Sequence, residues 1–476
     1  MSDVHVKATN ELRLRELPRS LSRQADFADA VQSLRVGSGA TFDGVWGSSS
    51  ALLAAALSAH ASGPLVLVAA KPADADLLAD DLQLFTGEAP LRFPAWETEP
   101  NERVIQDENF GERLRTLKYL LHDLPHLAKP ISAPIFVTSV QSLLQPTPSR
   151  ELIESSSRVL RNGSRLDFDG FKRWLIEQKF HSTSAVELPG EFSMRGGIID
   201  LFAPDWQRPV RIELFDDEIE SIRRFDVASQ RSLETLTEVE ITVIQPTSHS
   251  TAHFADYLPT DTWCLLVEPE QIDEQGKHYL SRIEHPAEFH SVEAVLKSFQ
   301  PLAVATASSL ARGATGVRCV LPIESVERFS GDVKRVREEL DRSASDCQTF
   351  IVTPTEAEIE RLHELLCETT IAKEERLHFA VGQLSAGFRL LSDGVLLISA
   401  TELFQRGDVR RVPRRRLGKA IDSFHDLRSG DLVVHLSHGI GRYRGIELID
   451  KQGQLEEHLQ IEFRDQIGRA SCRERV

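Results

Sequence analysis

The chain has 476 residues, 41% of them hydrophobic, and a formal net charge of −17 from 55 Lys+Arg against 72 Asp+Glu. That length holds several domains with ample cores, while the acidic balance excludes strong binding of nucleic acid by the chain as a whole, so proteins are the expected partners and DNA is bound only weakly if at all. No apolar run approaches the ~18 residues of a membrane span, and five scattered cysteines (264, 319, 347, 367, 472) without a Cys-x-x-Cys pair exclude a disulfide framework and fit a reducing cytoplasm.

Residues 1–140 read as α/β. A Gly-Ser segment at 44–50 precedes a helical run at 51–59, a buried strand at 64–70, a helix ending near Phe85 and a strand at 134–140. Strands alternating with helices predict a parallel sheet covered on both faces. Residues 141–226 carry an amphipathic helix at 168–179 and a strand with Ile198, Ile199, Leu201 and Phe202. Alternating strands follow at 210–214 and 219–225, around the acidic corner Asp216-Asp217-Glu218. Period-two alternation between turns predicts an antiparallel meander with one buried face. Residues 227–325 mix strands and helices without a strong signature. A small α/β unit follows, with helices at 332–342 and 356–368 and strands at 349–352 and 394–399. Arginines 406, 410, 411, 414, 415 and 416 mark a basic connector, read as solvated, with a contact to DNA or an acidic surface as the alternative. From Ser429 short strands and clustered glycines predict a small β-barrel.

Gly44-Val-Trp-Gly47-Ser-Ser49-Ser50-Ala51 has the placement of a phosphate-binding loop, G-x-x-x-x-G-K-[ST], ahead of its helix. In that motif lysine reaches the β/γ-phosphates and the hydroxyl holds magnesium. Here the second glycine is Ser49, the lysine position is Ser50 and the hydroxyl position is Ala51, so charge and metal ligand are both missing. A plain loop-to-helix turn is expected, with no catalytic residue. His435 and His438 satisfy H-x-x-H but lack a third ligand, so no metal site is expected and both read as structural.

Two longer words carry a resemblance. GEFSMRGGIIDLF (190–202), followed by RIELFDDEIESIRRFD (211–226), closely resembles the UvrA-binding domain shared by the excision-repair protein UvrB and the transcription-repair coupling factors (Mfd). The decayed loop separates this chain from UvrB, which keeps an intact Gly-Lys-Thr. Phe93-Pro-Ala-Trp96-Glu97, leading through Pro100 to FGERLRTL (110–117), is much like the family's LPxWExxP…GERLxxL. UvrB's long tyrosine-rich hairpin, which inserts into DNA, is here a short loop without a tyrosine cluster. GDLVVHLSHGIGRYRGIE (430–447) is very similar to the start of the family's RNA-polymerase-interacting domain, a Tudor-like barrel shared with CarD-type regulators.

The resemblance implies an α/β multidomain architecture. A degenerate phosphate-loop, UvrB-like α/β domain comes in two parts (1–140 and 227–325) around an inserted α+β UvrA-binding domain (141–226). A small α/β domain (326–405), a basic linker (406–428) and a truncated Tudor/CarD-like β-barrel (429–466) follow. UvrA and the RNA polymerase β subunit are the implied partners. Arg195, beside Gly196-Gly197, is the first choice for a bidentate carboxylate contact with UvrA, with Glu191, Phe192, Lys179 and His181 as neighbours. The alternative is that Arg195 pairs internally with Asp200 or Glu213. The strand 458–463 matches the one that joins an edge of the polymerase, with Leu459, Ile461 and Phe463 implied at the contact.

The complete family protein resembles an ATP-driven DNA translocase, using ATP and Mg2+. No second phosphate-loop motif occurs in these 476 residues, so this fragment is expected to need no cofactor. It is expected to act as an adaptor in transcription-coupled nucleotide excision repair. An active UvrB-like nucleotide enzyme and a CarD-like polymerase regulator are the other readings. Residues 467–476 equal the translation of a common sequencing-adapter read-through and are set apart as an adapter-derived tail.

Overall fold

The computed structural model describes residues 13–96, 108–126, 133–244, 252–283, 285–311, 316–327, 329–404, 432–435, 439–451, 454–462 and 467–471. They fall into two units, 1–407 and 408–476. The basic linker and its arginines lie outside the described residues.

The first unit is built on seven parallel strands. Their spatial order is Val317–Val320, Ala40–Asp43, Ala303–Ser308, Trp263–Val267, Leu65–Ala69, Ile135–Ser139 and Leu91–Phe93. Leu65–Ala69 and Ile135–Ser139 are buried at every position, as a sheet covered on both faces requires. Alternate residues serve opposite layers. Leu65 and Leu67 pack with Leu52, Leu53, Phe27 and Phe85 on one side, and Val66, Val68 and Phe136 pack with Phe110, Leu114 and Leu117 on the other. Three of the seven strands come from beyond residue 260, so the weakly marked stretch after the meander completes the sheet.

The inserted domain has a six-stranded sheet in the order Ser232–Leu236, Glu218–Phe225, Val210–Phe215, Ile198–Phe202, Glu191–Arg195 and His181–Ser182. All pairs are antiparallel except the last. The helix Phe168–Glu177 starts where the Asp167 carboxylate accepts the Gly170 N–H, an N-cap. It lays Phe171 and Leu175 on the inner face with Phe192, Ile199, Leu201, Ile212 and Ile222. Packing continues past residue 226: Glu238–Thr242 pairs with Ser157–Arg161, and Val239 and Ile241 enter the same core.

The helix Glu108–Lys118, which holds the whole FGERLRTL word, joins the two domains. Phe110, Leu114 and Leu117 face the parallel sheet. On its other side Gly111 meets the Pro204 carbonyl, where a Cβ would stand only 2.0 Å away. Arg115 donates to the Asp205 and Trp206 carbonyls at 2.8 and 3.1 Å. Lys118 Nζ reaches the Asp205 carboxylate at 2.8 Å and Glu240 at 3.1 Å. Burial works to lower the Lys118 ammonium, but Asp205 and Glu240 outweigh it and raise its pKa. Arg113 is buried. It donates to the Pro94 and Ser142 carbonyls at 2.9 and 3.0 Å and lies 3.9 Å from the centre of the Phe93 ring and 4.7 Å from that of Trp96, a stacked cation–π arrangement.

The small domain has five strands, ordered Ile323–Ser325, Phe388–Leu390, Val395–Ser399, Gln348–Thr353 and Leu377–Val381. One face has its own core with Leu362 and Leu366. The other contributes Phe350, Val352, Leu384, Phe388 and Leu397 to the core of the first domain. The second unit is a four-stranded antiparallel sheet, Leu432–His435, Gly439–Lys451, Gln454–Glu462 and Ile467–Ser471.

Candidate functional site

The strand Ala40–Asp43 runs into Gly44, whose φ is +76°, and Gly47 at +54° turns the chain into the helix Ser49–Ser58. Both glycines are needed: L side chains rarely adopt such angles, and a Cβ on Gly44 would stand 2.7 Å from the Leu321 carbonyl oxygen. Every residue of the helix is buried, including Ser50 and Ala51 at the old lysine and hydroxyl positions. A nucleotide does not fit these residues. The loop offers neither cation nor metal ligand, and its mouth is filled by the small domain. Ser48 N–H donates to the Ala386 carbonyl at 3.0 Å, and Ala386 N–H donates back to Ser48 Oγ at 3.1 Å. Ser385 donates N–H and Oγ–H to the Asp81 carboxylate at 2.7 and 2.5 Å. Asp81 is 1% exposed. Burial lifts its carboxyl to about 6, against the hydrogen bonds from Ser385 and Ser48.

The second candidate is the outer face of the meander, opposite the helix Phe168–Glu177. Strand alternation puts Arg195, Ile198, Asp200, Arg211, Glu213 and Phe215 on it. Its carboxylates are neutralised from within. Asp200 takes a bidentate pair from Arg211 at 2.7 and 2.8 Å. Glu213 accepts from Ser221 Oγ at 2.6 Å and pairs with Arg223 at 3.1 Å. Arg195 therefore has neither of the internal partners considered for it; its guanidinium donates to the Ser184 carbonyl and is exposed. Beside it Ile198 is 40% and Phe215 77% exposed. The Leu214 N–H donates to the Gly197 carbonyl at 2.8 Å, which holds the two hairpin ends together.

The other residues expected around Arg195 separate. Phe192 is a core residue under the helix. Glu191 is buried and spends one carboxylate oxygen on the Glu187 and Leu188 N–H groups at 2.9 and 3.0 Å. Neither offers a side chain to a partner. His181 and Lys179 are exposed, but His181 pairs with Glu191, about 13 Å of strand away from Arg195. Phe215 was missed although its signal is in the sequence. Val210, Ile212 and Leu214 set the inward phase, so Phe215 is an aromatic residue on the outward one.

In the second unit Leu459 pairs with Ile446 and Ile461 with Tyr443; Phe463 and His438 lie outside the described residues. The strand Gln454–Glu462 is not an edge here, because Ile467–Ser471 pairs with its other side. That partner belongs to the tail set apart above as adapter-derived, and apart from it the strand Gln454–Glu462 ends the sheet. Among the described residues no cluster of three His, Cys, Asp or Glu could hold a metal, and no helix is long and apolar enough to cross a membrane.

Residues 159–249 match the family model of the UvrB interaction domain, and residues 427–470 match that of the CarD-like/TRCF RID domain. The chain is 26% identical over 497 aligned residues to the transcription-repair-coupling factor of Staphylococcus aureus strain RF122, covering 85% of this chain and 42% of that protein. It is 25% identical over 534 to that of Bacillus subtilis strain 168, covering 92% and 44%. The chain thus resembles transcription-repair-coupling factors along most of its length and spans less than half the length of these relatives.

Proposed function

We propose that this chain is a docking adaptor of transcription-coupled nucleotide excision repair, binding RNA polymerase with its C-terminal sheet and UvrA with the outer face of the meander. The observation that carries the reading is the state of Arg195. On a face whose carboxylates are already matched, one exposed guanidinium has only a carbonyl partner, within a domain similar to the UvrB interaction domain. A partner carboxylate would complete its fork. The match to the CarD-like domain supports the polymerase half, with Leu459 and Ile461 on the strand that would be extended. The reading assigns no catalytic residue, metal or nucleotide to these 476 residues.

Capture of purified UvrA by the immobilised chain tests it. Arg195→Ala is expected to weaken capture by about 1–3 kcal/mol, roughly 5- to 150-fold, the range for losing a buried charged hydrogen bond. Unchanged affinity removes Arg195 from the interface; no capture by the wild-type chain defeats the UvrA reading.

A further inference from the structure

The loop at 44–48 has an occupant of its own. We propose that this former phosphate-binding loop is a socket for residues 384–387 of the small domain, which fill the place of a nucleotide phosphate, close the site to nucleotides and fasten the small domain to the first. The proposal does not depend on the UvrA reading.

Backbone accounting comes first. A phosphate loop works by leaving N–H groups unpaired around the anion. Here the N–H groups of Ser49, Ser50, Ala51 and Leu52 donate to carbonyls of residues 46–48, and that of Ser48 goes to the Ala386 carbonyl. A carbonyl oxygen thus takes the bond a phosphate oxygen would need. Space gives the same answer. A Cβ on Gly47 would stand 2.9 Å from both the Ala386 side chain and its carbonyl oxygen, and 3.2 Å from the Gly387 carbonyl oxygen. Charge agrees as well, since the ionisable groups bonded to the inserted segment, Asp81 and Glu402, are both carboxylates, which repel a triphosphate.

The segment is also gripped from its own domain. Gly387 N–H donates to Glu402 at 2.8 Å, the same carboxylate that closes the capping box on Ser399. Leu384 is buried in the core the two domains share. A nucleotide would have to break both sets of contacts without the lysine that normally rewards its entry.

The test uses the full chain and amide hydrogen exchange. Gly47→Val should raise exchange at residues 385–387 by about tenfold or more while residues 191–225 stay unchanged, because only the local opening equilibrium is altered. Mg-ATP in millimolar excess should change nothing at 44–58 in the wild type. Should Gly47→Val fail to fold, the pair Ser48→Cys, Ser385→Cys decides. The two Oγ atoms lie 3.1 Å apart, so mild oxidation should join residues 48 and 385 in a peptide identified by mass spectrometry. Unaltered exchange at 385–387, ATP-induced protection of the loop, or no cross-link would each overturn the proposal.

Discussion

Replacing Gly111 by Ala asks whether the helix Glu108–Lys118 clasps the inserted domain. Helix propensity alone makes the change stabilising by about 1 kcal/mol. In this fold the new Cβ would stand 2.0 Å from the Pro204 carbonyl oxygen, whereas real Cβ contacts under 3.0 Å essentially never occur. Main chain, not the end of a flexible side chain, must therefore retreat by about 1 Å or stay strained; overpacking of this kind costs about 1–3 kcal/mol. Retreat is no easier. The Pro204–Trp206 segment carries the acceptors of Arg115, at 2.8 and 3.1 Å, and of Lys118, at 2.8 Å. A shift of an ångström takes all three beyond hydrogen-bonding distance, at about 1 kcal/mol each. With the helix gain subtracted, the net effect runs from no change to a loss of about 2 kcal/mol. Urea unfolding followed by tryptophan fluorescence gives the sign, and amide exchange at residues 112–118 locates it. A variant more stable than the parent by the full helix gain of about 1 kcal/mol refutes the clasp.

Lys118→Ala should cost more, about 3–5 kcal/mol, because it strands the Asp205 carboxylate, whose side chain is 5% exposed, without its cation. Adding Asp205→Asn should recover part of that loss, and a double-mutant cycle from urea midpoints reads the difference. Burial, and then the neighbouring His290, hold the His253 imidazole down at about 4 instead of 6.5. A base with a depressed folded pKa contributes stability that is present above 6.5 and lost as pH falls toward 4. His253→Gln should therefore lack about 2–3 kcal/mol of the parent's acid loss between pH 7 and 4.5; equal loss in both proteins rejects the burial of a neutral ring. Among the four described cysteines, Cys367 is exposed while Cys264, Cys319 and Cys347 are buried. Burial pushes the Cys264 thiol up and that of Cys319 to about 12. Maleimide should label Cys367 natively and the other three only in denaturant; native labelling of Cys264 would contradict its place in the parallel sheet.

Local pattern made much of this fold legible. The apolar runs at 64–70 and 134–140, the helix ending near Phe85 and the alternation through the meander each state their own period, and the elements lie within a residue or two of the expected bounds. What local pattern could not state is which distant strands share a sheet. Trp263–Val267 and Ala303–Ser308 look like any short apolar runs, yet they occupy the middle of the seven strands. The same limit hid the partner of the decayed loop. Ser385 and Ala386 sit more than 330 residues from Ser48, and Leu-Ser-Ala-Gly carries no motif, since its role comes from main-chain groups that every residue type has. Asp81 was equally silent, as one acidic residue among four on its helix.

Two arginines show why site residues are harder than folds. Arg113 and Arg195 each sit in a word that marks the resemblance, each two residues from a glycine or next to one, and nothing in composition tells them apart. Their fates are decided by how many acceptors the surrounding chain returns to five N–H donors. The chain at 93–96 and the short helix Val140–Leu144 place two carbonyls and two aromatic faces around Arg113, so its charge is consumed in fixing the fold. On the face of Arg195 the carboxylates Asp200 and Glu213 are already claimed by Arg211 and Arg223, and the guanidinium bonds a carbonyl. The assignment of Arg195 to a partner thus rests on Arg211 and Arg223 as much as on Arg195 itself. Removing Arg211 should free Asp200, let it compete for the guanidinium, and weaken UvrA capture without touching the interface; capture unaffected by Arg211→Ala would mean that charge matching on this face does not govern docking.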